Sequence, residues 1–229
     1  MMKTILCLAL ASTLATAGFA QKSNAWIKGG LNLANVSTTS DGRIDEANML
    51  PSFHVGLMGD IPIGGVVALQ PGLLFTGKGS KTQTGNPGDN YYFKATSNPL
   101  YVEVPLNLII KLPMAKETNF FFGAGPYAAI GVAGKNKSEG EVVGVDFSGK
   151  ENIKFSDDDP TTLNNQEGAG LGRMRRFDFG LNGTVGLQLN SVLFSVNYGH
   201  GLTKINSVAK NDDDKNKHRV FSFSLGFRL

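Results

Sequence analysis

Few residues in this chain of 229 stand where they could do acid–base or nucleophilic chemistry. A catalytic base, usually histidine, must lie within hydrogen-bonding reach of a nucleophile or of a carboxylate that orients it. The histidines are His54, His200 and His218. His200 precedes the carboxylates of residues 212–214, but no serine or other carboxylate stands beside them in a recognisable motif. We therefore expect a protein that is not an enzyme and that has no cofactor.

Two acidic runs and one basic trio could bind ions or lipid. The acidic runs, at 157–159 and 212–214, lack the alternating acidic residues and central glycine of a calcium loop. We interpret both as solvated surface loops and expect no metal site. The basic trio of Arg173, Arg175 and Arg176 could contact anionic lipid headgroups or lipopolysaccharide phosphates.

Two glycine-rich segments imitate nucleotide-binding loops. GLLFTGKG at 72–79 nearly matches a phosphate-binding loop, but Gly79 stands where that motif needs Ser or Thr. Neither this segment nor GAGLG at 168–172 has the strand-then-helix context that such loops require. The charge is also nearly balanced, with 22 Lys and Arg against 19 Asp and Glu. We therefore expect no nucleic acid partner.

The amino terminus predicts export. Residues 1–20 contain the positive Lys3, a short apolar stretch at 5–14 and the small-x-small site GFA at 18–20. The apolar stretch is shorter than the roughly 20 residues that a membrane-spanning helix needs. We therefore predict a cleaved signal peptide at 1–20 and a single mature domain at 21–229.

Alternation of apolar and polar residues runs through the mature chain, and it places successive side chains on opposite faces of β-strands. Residues 100–111, 176–189 and 221–229 show it best. Weaker versions occur at about 25–35, 52–61, 66–78, 119–133 and 192–205. These eight predicted strands include several near the roughly 9–11 residues that a tilted strand needs to cross a bilayer.

The connections between the predicted strands alternate in length. Short ones fall at 62–65, 112–118 and 190–191, and long polar ones at 36–51, 79–98, 134–175 and 206–218. This rhythm predicts an all-β, eight-stranded, antiparallel up-and-down transmembrane barrel with short periplasmic turns and long extracellular loops. A soluble lipocalin-like barrel alternates as well, with its apolar face inward. Against it, the aromatic and aliphatic face continues to the last residue, Leu229.

Polar side chains should point into the barrel if the apolar faces meet lipid. The predicted interior network contains His54, Asp60, Glu103, Lys111, Arg176, Asp178 and Arg228. An eight-stranded barrel is just wide enough for side chains to fill it, and this set holds both signs of charge. We therefore expect a paired structural network and no porin activity.

The last strand carries a predicted assembly signal. Its apolar face consists of Phe221, Phe223, Leu225, Phe227 and Leu229. This pattern resembles the signal by which the barrel-assembly machinery recognises its substrates, by strand addition at a sheet edge. The usual terminal residue is aromatic, whereas this chain ends in leucine.

Eight segments, in order, resemble the PorT-like outer membrane β-barrel family of the Bacteroidota. They are KGGLNLAN (28–35), FHVGL (53–57), ALQPGLLF (68–75), YVEVPL (101–106), GAGPY (123–127), FDFG (177–180), YGHGL (198–202) and SLGFR (224–228). The resemblance covers 25–229 and implies a signal-bearing outer membrane barrel of eight strands. We expect the barrel to be monomeric or loosely associated and to lie in the outer membrane of a Gram-negative bacterium. The family's named member is linked to type IX secretion, while most members have no assigned activity.

We accordingly expect a structural or interaction role through long surface loops. Its expected partners are outer membrane lipid, lipopolysaccharide and an envelope or secretion-complex protein. The alternatives are an accessory component of type IX secretion and a small-solute-binding or soluble lipocalin-like barrel.

Overall fold

The computed structural model describes residues 24–37, 49–115, 117–156, 173–203, 205 and 217–229. The predicted signal peptide, both acidic runs and the GAGLG segment lie outside these residues. Within them, no helix is long and apolar enough to cross a membrane. All the regular elements are strands: β1 (Asn24–Ser37), β2 (Leu50–Gly64), β3 (Val67–Gly77), β4 (Ser80–Thr84), β5 (Tyr91–Ala115), β6 (Thr118–Val142), β7 (Val145–Asn152), β8 (Lys154–Ser156), β9 (Arg173–Arg175), β10 (Phe177–Leu189), β11 (Val192–Gly201) and β12 (Lys217–Arg228).

Eight of these strands close into a barrel. Their order around the wall is β5-β3-β2-β1-β12-β11-β10-β6, and pairing of β6 with β5 completes the circle. The first and last strands pair antiparallel from Trp26 opposite Arg228 to Ser37 opposite Lys217. The prediction of an all-β antiparallel barrel is confirmed.

Three short turns lie at one end of the barrel, which we call the turn end. They join β2 to β3, β5 to β6 and β10 to β11. Each contains a residue with positive φ: Gly65 (54°), Glu117 (64°) and Asn190 (27°). Such angles favour glycine and asparagine, and they let the chain reverse within a few residues. Both chain ends of the barrel, at Asn24 and Arg228, lie at this turn end as well.

At the opposite end, the loop end, the described parts of the predicted polar loops 79–98 and 134–175 are largely strand, which corrects the prediction for 79–98 and for 134–156. β5 begins at Tyr91 and β6 continues to Val142, so both rise beyond the wall. β4 and β7 pair with these extensions. Together β4, residues 91–98 of β5, residues 135–142 of β6 and β7 form a four-stranded loop-end sheet. The sequence did not predict these strands, because their residues are mostly polar and the sequence signal of a strand is an alternation of apolar and polar residues.

The wall strands alternate as the sequence pattern predicts. On β12 the outward residues Phe223 and Phe227 are about half exposed, at 49% and 50%, whereas the inward Ser224 is 7% exposed. Aromatic and aliphatic side chains cover the outside of the other wall strands in the same way. A soluble monomer does not present so large a contiguous apolar surface to water. The outside of this barrel is therefore suited to lipid, and its polar residues meet inside.

Candidate functional site

The interior near the loop end is organised by Lys78, which follows β3. Its Nζ lies 2.6 Å from Glu103 Oε2 and 2.8 Å from Asp178 Oδ2. The same ammonium lies 3.9 Å from the centre of the Tyr127 ring. All of these side chains are buried. One cation thus compensates two carboxylates away from water, where an unpaired charge would be very costly.

Further groups complete this upper cluster. Thr203 Oγ1 donates a hydrogen bond of 2.7 Å to Asp178 Oδ1, and the Tyr127 hydroxyl donates one of 3.1 Å to Asp178 Oδ2. Tyr101 packs edge-on against His218, with ring centres 5.4 Å apart. Phe155, from β8, packs edge-on against Tyr101 and adds to the aromatic cluster at the loop end of the interior.

A neutral hydrogen-bond chain fills the middle of the barrel. Asn32 Nδ2 donates to Thr76 Oγ1 at 2.9 Å, so its Oδ1 is left to accept from His54 Nδ1, 2.7 Å away. The other ring nitrogen of His54 then accepts from the Ser224 hydroxyl at 2.9 Å. Ser224 Oγ in turn accepts from Asn197 Nδ2 at 2.9 Å. Every link in this chain therefore has its donor and its acceptor.

Ser224, His54 and Asn32 have the order of a nucleophile, a base and an orienting amide. They lie on β12, β2 and β1, so they are far apart in the sequence and form no motif. The cavity beside them measures about 60 Å³ and is also lined by Lys28 and Gln70. At roughly 15 Å³ for each water, that space holds about four water molecules. Ligand pockets are several times larger, at roughly 300–1,000 Å³.

The turn end of the interior is closed by an apolar plug. Trp26, Met58, Ile109, Phe121 and Leu193 pack together, each of them 7% exposed or less. Near the same end, Lys111 Nζ forms an ion pair with the fully buried Asp60. Among the described residues, packed side chains therefore lie at both ends of the barrel interior.

The predicted interior residues fall into two groups. His54, Asp60, Glu103, Lys111 and Asp178 face inward, as the alternation predicts, but at three separate levels and not in one network. The prediction for the other two is corrected: Arg176 and Arg228 are exposed. They stand at strand ends, where the wall stops. Arg228 Nη2 donates to Asn190 Oδ1 in a turn, and Arg176 Nη2 donates to the Phe155 carbonyl.

Sequence reasoning missed two of the three lysines that balance the interior. Lys28 and Lys78 share their inward faces with Asn32 and Thr76, so continued alternation was the available signal. With them, the described interior holds three lysines, Lys28, Lys78 and Lys111, against the three carboxylates Asp60, Glu103 and Asp178. Among all the residues that the structure describes, no group of three or more metal-ligating side chains occurs.

The remaining histidines do not join the hydrogen-bond chain. His200 lies on β11 beside the outward Tyr198, with ring centres 6.2 Å apart. His218 Nε2 lies 3.3 Å from the Tyr101 hydroxyl in the upper cluster.

A family model described as outer membrane protein beta-barrel domain matches residues 19–207. The chain belongs to this family. It is therefore an outer membrane β-barrel protein, and the apolar outer face is the surface that meets lipid. The predicted outer membrane localisation is confirmed, and the soluble barrel is ruled out.

Solved outer membrane barrels are similar to this chain at low identity. The attachment invasion locus protein Ail of Yersinia pestis, in complex with sucrose octasulfate, is 11% identical, with 91% of this chain and 100% of Ail covered and a TM-score of 0.41. Neisserial surface protein A is 11% identical over 91% of this chain and 100% of its own, with a TM-score of 0.42. The barrel domain of Pseudomonas aeruginosa OprF is 10% identical over 90% and 98%, with a TM-score of 0.31. A search of curated proteins found no match.

Proposed function

We propose that this protein is a sealed, non-enzymatic and monomeric outer membrane barrel of PorT-like type. It acts through the surface of its loop end. The observation that carries the proposal is the filled interior. Packed side chains lie at both ends, and the three lysines and three carboxylates of the described interior balance in number. An interior of this kind stabilises the barrel, and it leaves the loop end as the place for contacts with other molecules.

The small interior cavity argues against solute binding and catalysis. Its volume of about 60 Å³ is too small for a sugar or a peptide. Ser224 and His54 are 7% and 5% exposed, so a substrate has no approach to them. We therefore interpret Ser224–His54–Asn32 as a buried structural chain.

The proposed orientation places the turn end in the periplasm and the loop end outside the cell. Both ends of the barrel's chain lie at the turn end, which suits insertion from the periplasm. The outward faces of β12 and its neighbours would contact lipid. The barrel-assembly machinery would recognise β12 during insertion. The aromatic residues of β12 are all outward, so they are available for that recognition.

A second function, supported by the family resemblance, is an accessory role in type IX secretion. Deleting the gene and comparing secreted and surface proteins by mass spectrometry separates the two. We expect an unchanged set of secreted proteins. Loss of proteins with type IX sorting domains from the surface, with accumulation in the periplasm, would refute the proposed role and establish the secretion role. Complementation with the intact gene controls for effects on neighbouring genes.

A further inference from the structure

Lysines form a row across the loop-end sheet. Lys81 on β4 pairs with Thr96 on β5, Thr96 pairs with Lys137 on β6, and Lys137 pairs with Lys150 on β7. Residues paired in this way point to the same face of a sheet. Lys135 lies two residues from Lys137 along β6, so it belongs to that face too. We call Lys81, Lys135, Lys137 and Lys150 the lysine row.

Among the described residues, the carboxylate of Glu139 lies beside the lysine row, two residues along β6 from Lys137, and Lys137 helps to lower the pKa of that carboxyl. No member of the row forms an ion pair among these residues, although Lys137 and Lys150 are directly opposed. Like charges in that position destabilise a sheet. The neighbouring lysine on this face, Lys94, does form an ion pair: its Nζ donates a hydrogen bond of 2.5 Å to Glu139 Oε1. That bond lowers the pKa of the Glu139 carboxyl and raises the pKa of the Lys94 ammonium.

A groove joins the lysine row to the apolar outer wall. It measures about 730 Å³, and Leu100, Val132, Lys135 and Lys137 are among its lining residues. Val132 is 50% exposed and ends the apolar outward face of β6. Lys135 follows three residues later, and the register shift between Gly131 and Ala133 places both side chains on the outward face. The groove thus changes from apolar to cationic along β6, in the same order as acyl chains and headgroup phosphates follow each other in a membrane.

We propose that this groove binds a phosphorylated glycolipid of the outer leaflet, with acyl carbon against Leu100 and Val132 and phosphate on Lys135 and Lys137. The other members of the lysine row would attract further phosphates of the same headgroup layer. The inference rests on the proposed orientation of the loop end. This site is separate from the predicted contact of the arginine trio, in which Arg176 donates a hydrogen bond to the Phe155 carbonyl.

Titration calorimetry with diphosphoryl lipid A, on the full-length protein in a zwitterionic detergent, tests the site. The test variant is Lys135→Gln/Lys137→Gln. The matched control is Lys154→Gln/Arg175→Gln, which removes equal charge from the short strands β8 and β9. We expect the dissociation constant to rise about 30-fold in the test variant and less than about 3-fold in the control. Far-UV circular dichroism checks that both variants retain their strands.

Two further ligands identify which part of the lipid is recognised. Dephosphorylated lipid A should bind the wild-type protein at least about 10-fold more weakly, and inorganic phosphate alone should give no saturable heat. The proposal is overturned by equal binding of dephosphorylated lipid A, by saturable binding of free phosphate, or by equal losses in the test and control variants. The epitope labelling described below tests the orientation separately, so failure of the site and failure of the orientation are distinguishable.

Discussion

At the scale of single residues, Lys78 is the side chain on which the interior depends most. It contacts Glu103 and Asp178 at 2.6 Å and 2.8 Å, and no other cation lies within ion-pair distance of either carboxylate among the described residues. Removing one partner of a buried ion cluster leaves an uncompensated buried charge, which destabilises the fold far more than replacing the whole cluster with apolar residues. The strength of this cluster is therefore measurable by removing its cation.

We expect Lys78→Met to destabilise the folded barrel by about 3–5 kcal/mol, because two buried carboxylates lose their counter-charge. Urea unfolding in lipid vesicles measures this, with the fluorescence of the single tryptophan, Trp26, as the signal. Combining Lys78→Met with Glu103→Gln and Asp178→Asn should restore part of the loss. Lys94→Met, in the exposed pair with Glu139, is the control and should change stability little. Equal stability of Lys78→Met and the wild type would contradict the buried-cluster account.

At the scale of elements, the seam between β1 and β12 decides whether the barrel closes. Gly30 stands opposite Ser224 in this seam, and a Cβ on Gly30 would lie only 1.8 Å from the Phe223 carbonyl oxygen. Any side chain there forces the first and last strands apart. Glycine at this position is thus a requirement of close strand approach.

Gly30→Ala should therefore lower the free energy of unfolding by about 1–3 kcal/mol, the usual range for overpacking a filled site. Gly183→Ala is the matched control on β10, because a Cβ there meets nothing within 4 Å. The same urea assay compares the two. A larger loss for Gly183→Ala than for Gly30→Ala would be inconsistent with the described seam.

The last strand carries a second prediction at this scale. Phe227→Ala should reduce the fraction of folded barrel in the outer membrane, because it weakens the proposed assembly signal. Phe194→Ala on β11 is the control, since Phe194 and Phe227 are exposed to nearly the same extent, 51% and 50%. Membrane fractionation with quantitative immunoblotting measures folded protein. If both variants accumulate equally well, Phe227 has no role beyond contact with lipid.

Sequence alone was sufficient to predict the strands that have one apolar face. The alternation of 100–111 and 221–229 predicts both the strands and the faces that point outward, because burial in lipid needs that pattern. It was not sufficient for the loop-end sheet, where Lys137 and Glu139 carry no apolar signal. Nor could it order the interior, since the level at which His54 meets Ser224 depends on strand register and barrel stagger.

At the scale of the whole molecule, the orientation of the two ends is directly testable. An epitope tag inserted between Val143 and Gly144, in the tight turn of the loop-end sheet, should be labelled by antibody on intact cells. The same tag between Gly64 and Gly65 should be labelled only after the outer membrane is permeabilised. Both insertions lie in turns with a positive-φ glycine, at 77° and 54°, so they are structurally matched. Labelling of only the Gly64 insertion on intact cells would reverse the proposed orientation.

The closed interior is the central claim, and recording ionic current across planar bilayers tests it most directly. Purified wild-type protein is inserted, insertion is verified on a parallel preparation that carries the loop-end tag, and a known porin is recorded in the same bilayers. Because packed side chains lie at both ends of the interior, we expect no steady current steps at any applied voltage. Reproducible steps of constant size from the wild-type protein would contradict the account and would establish a conducting path through the barrel.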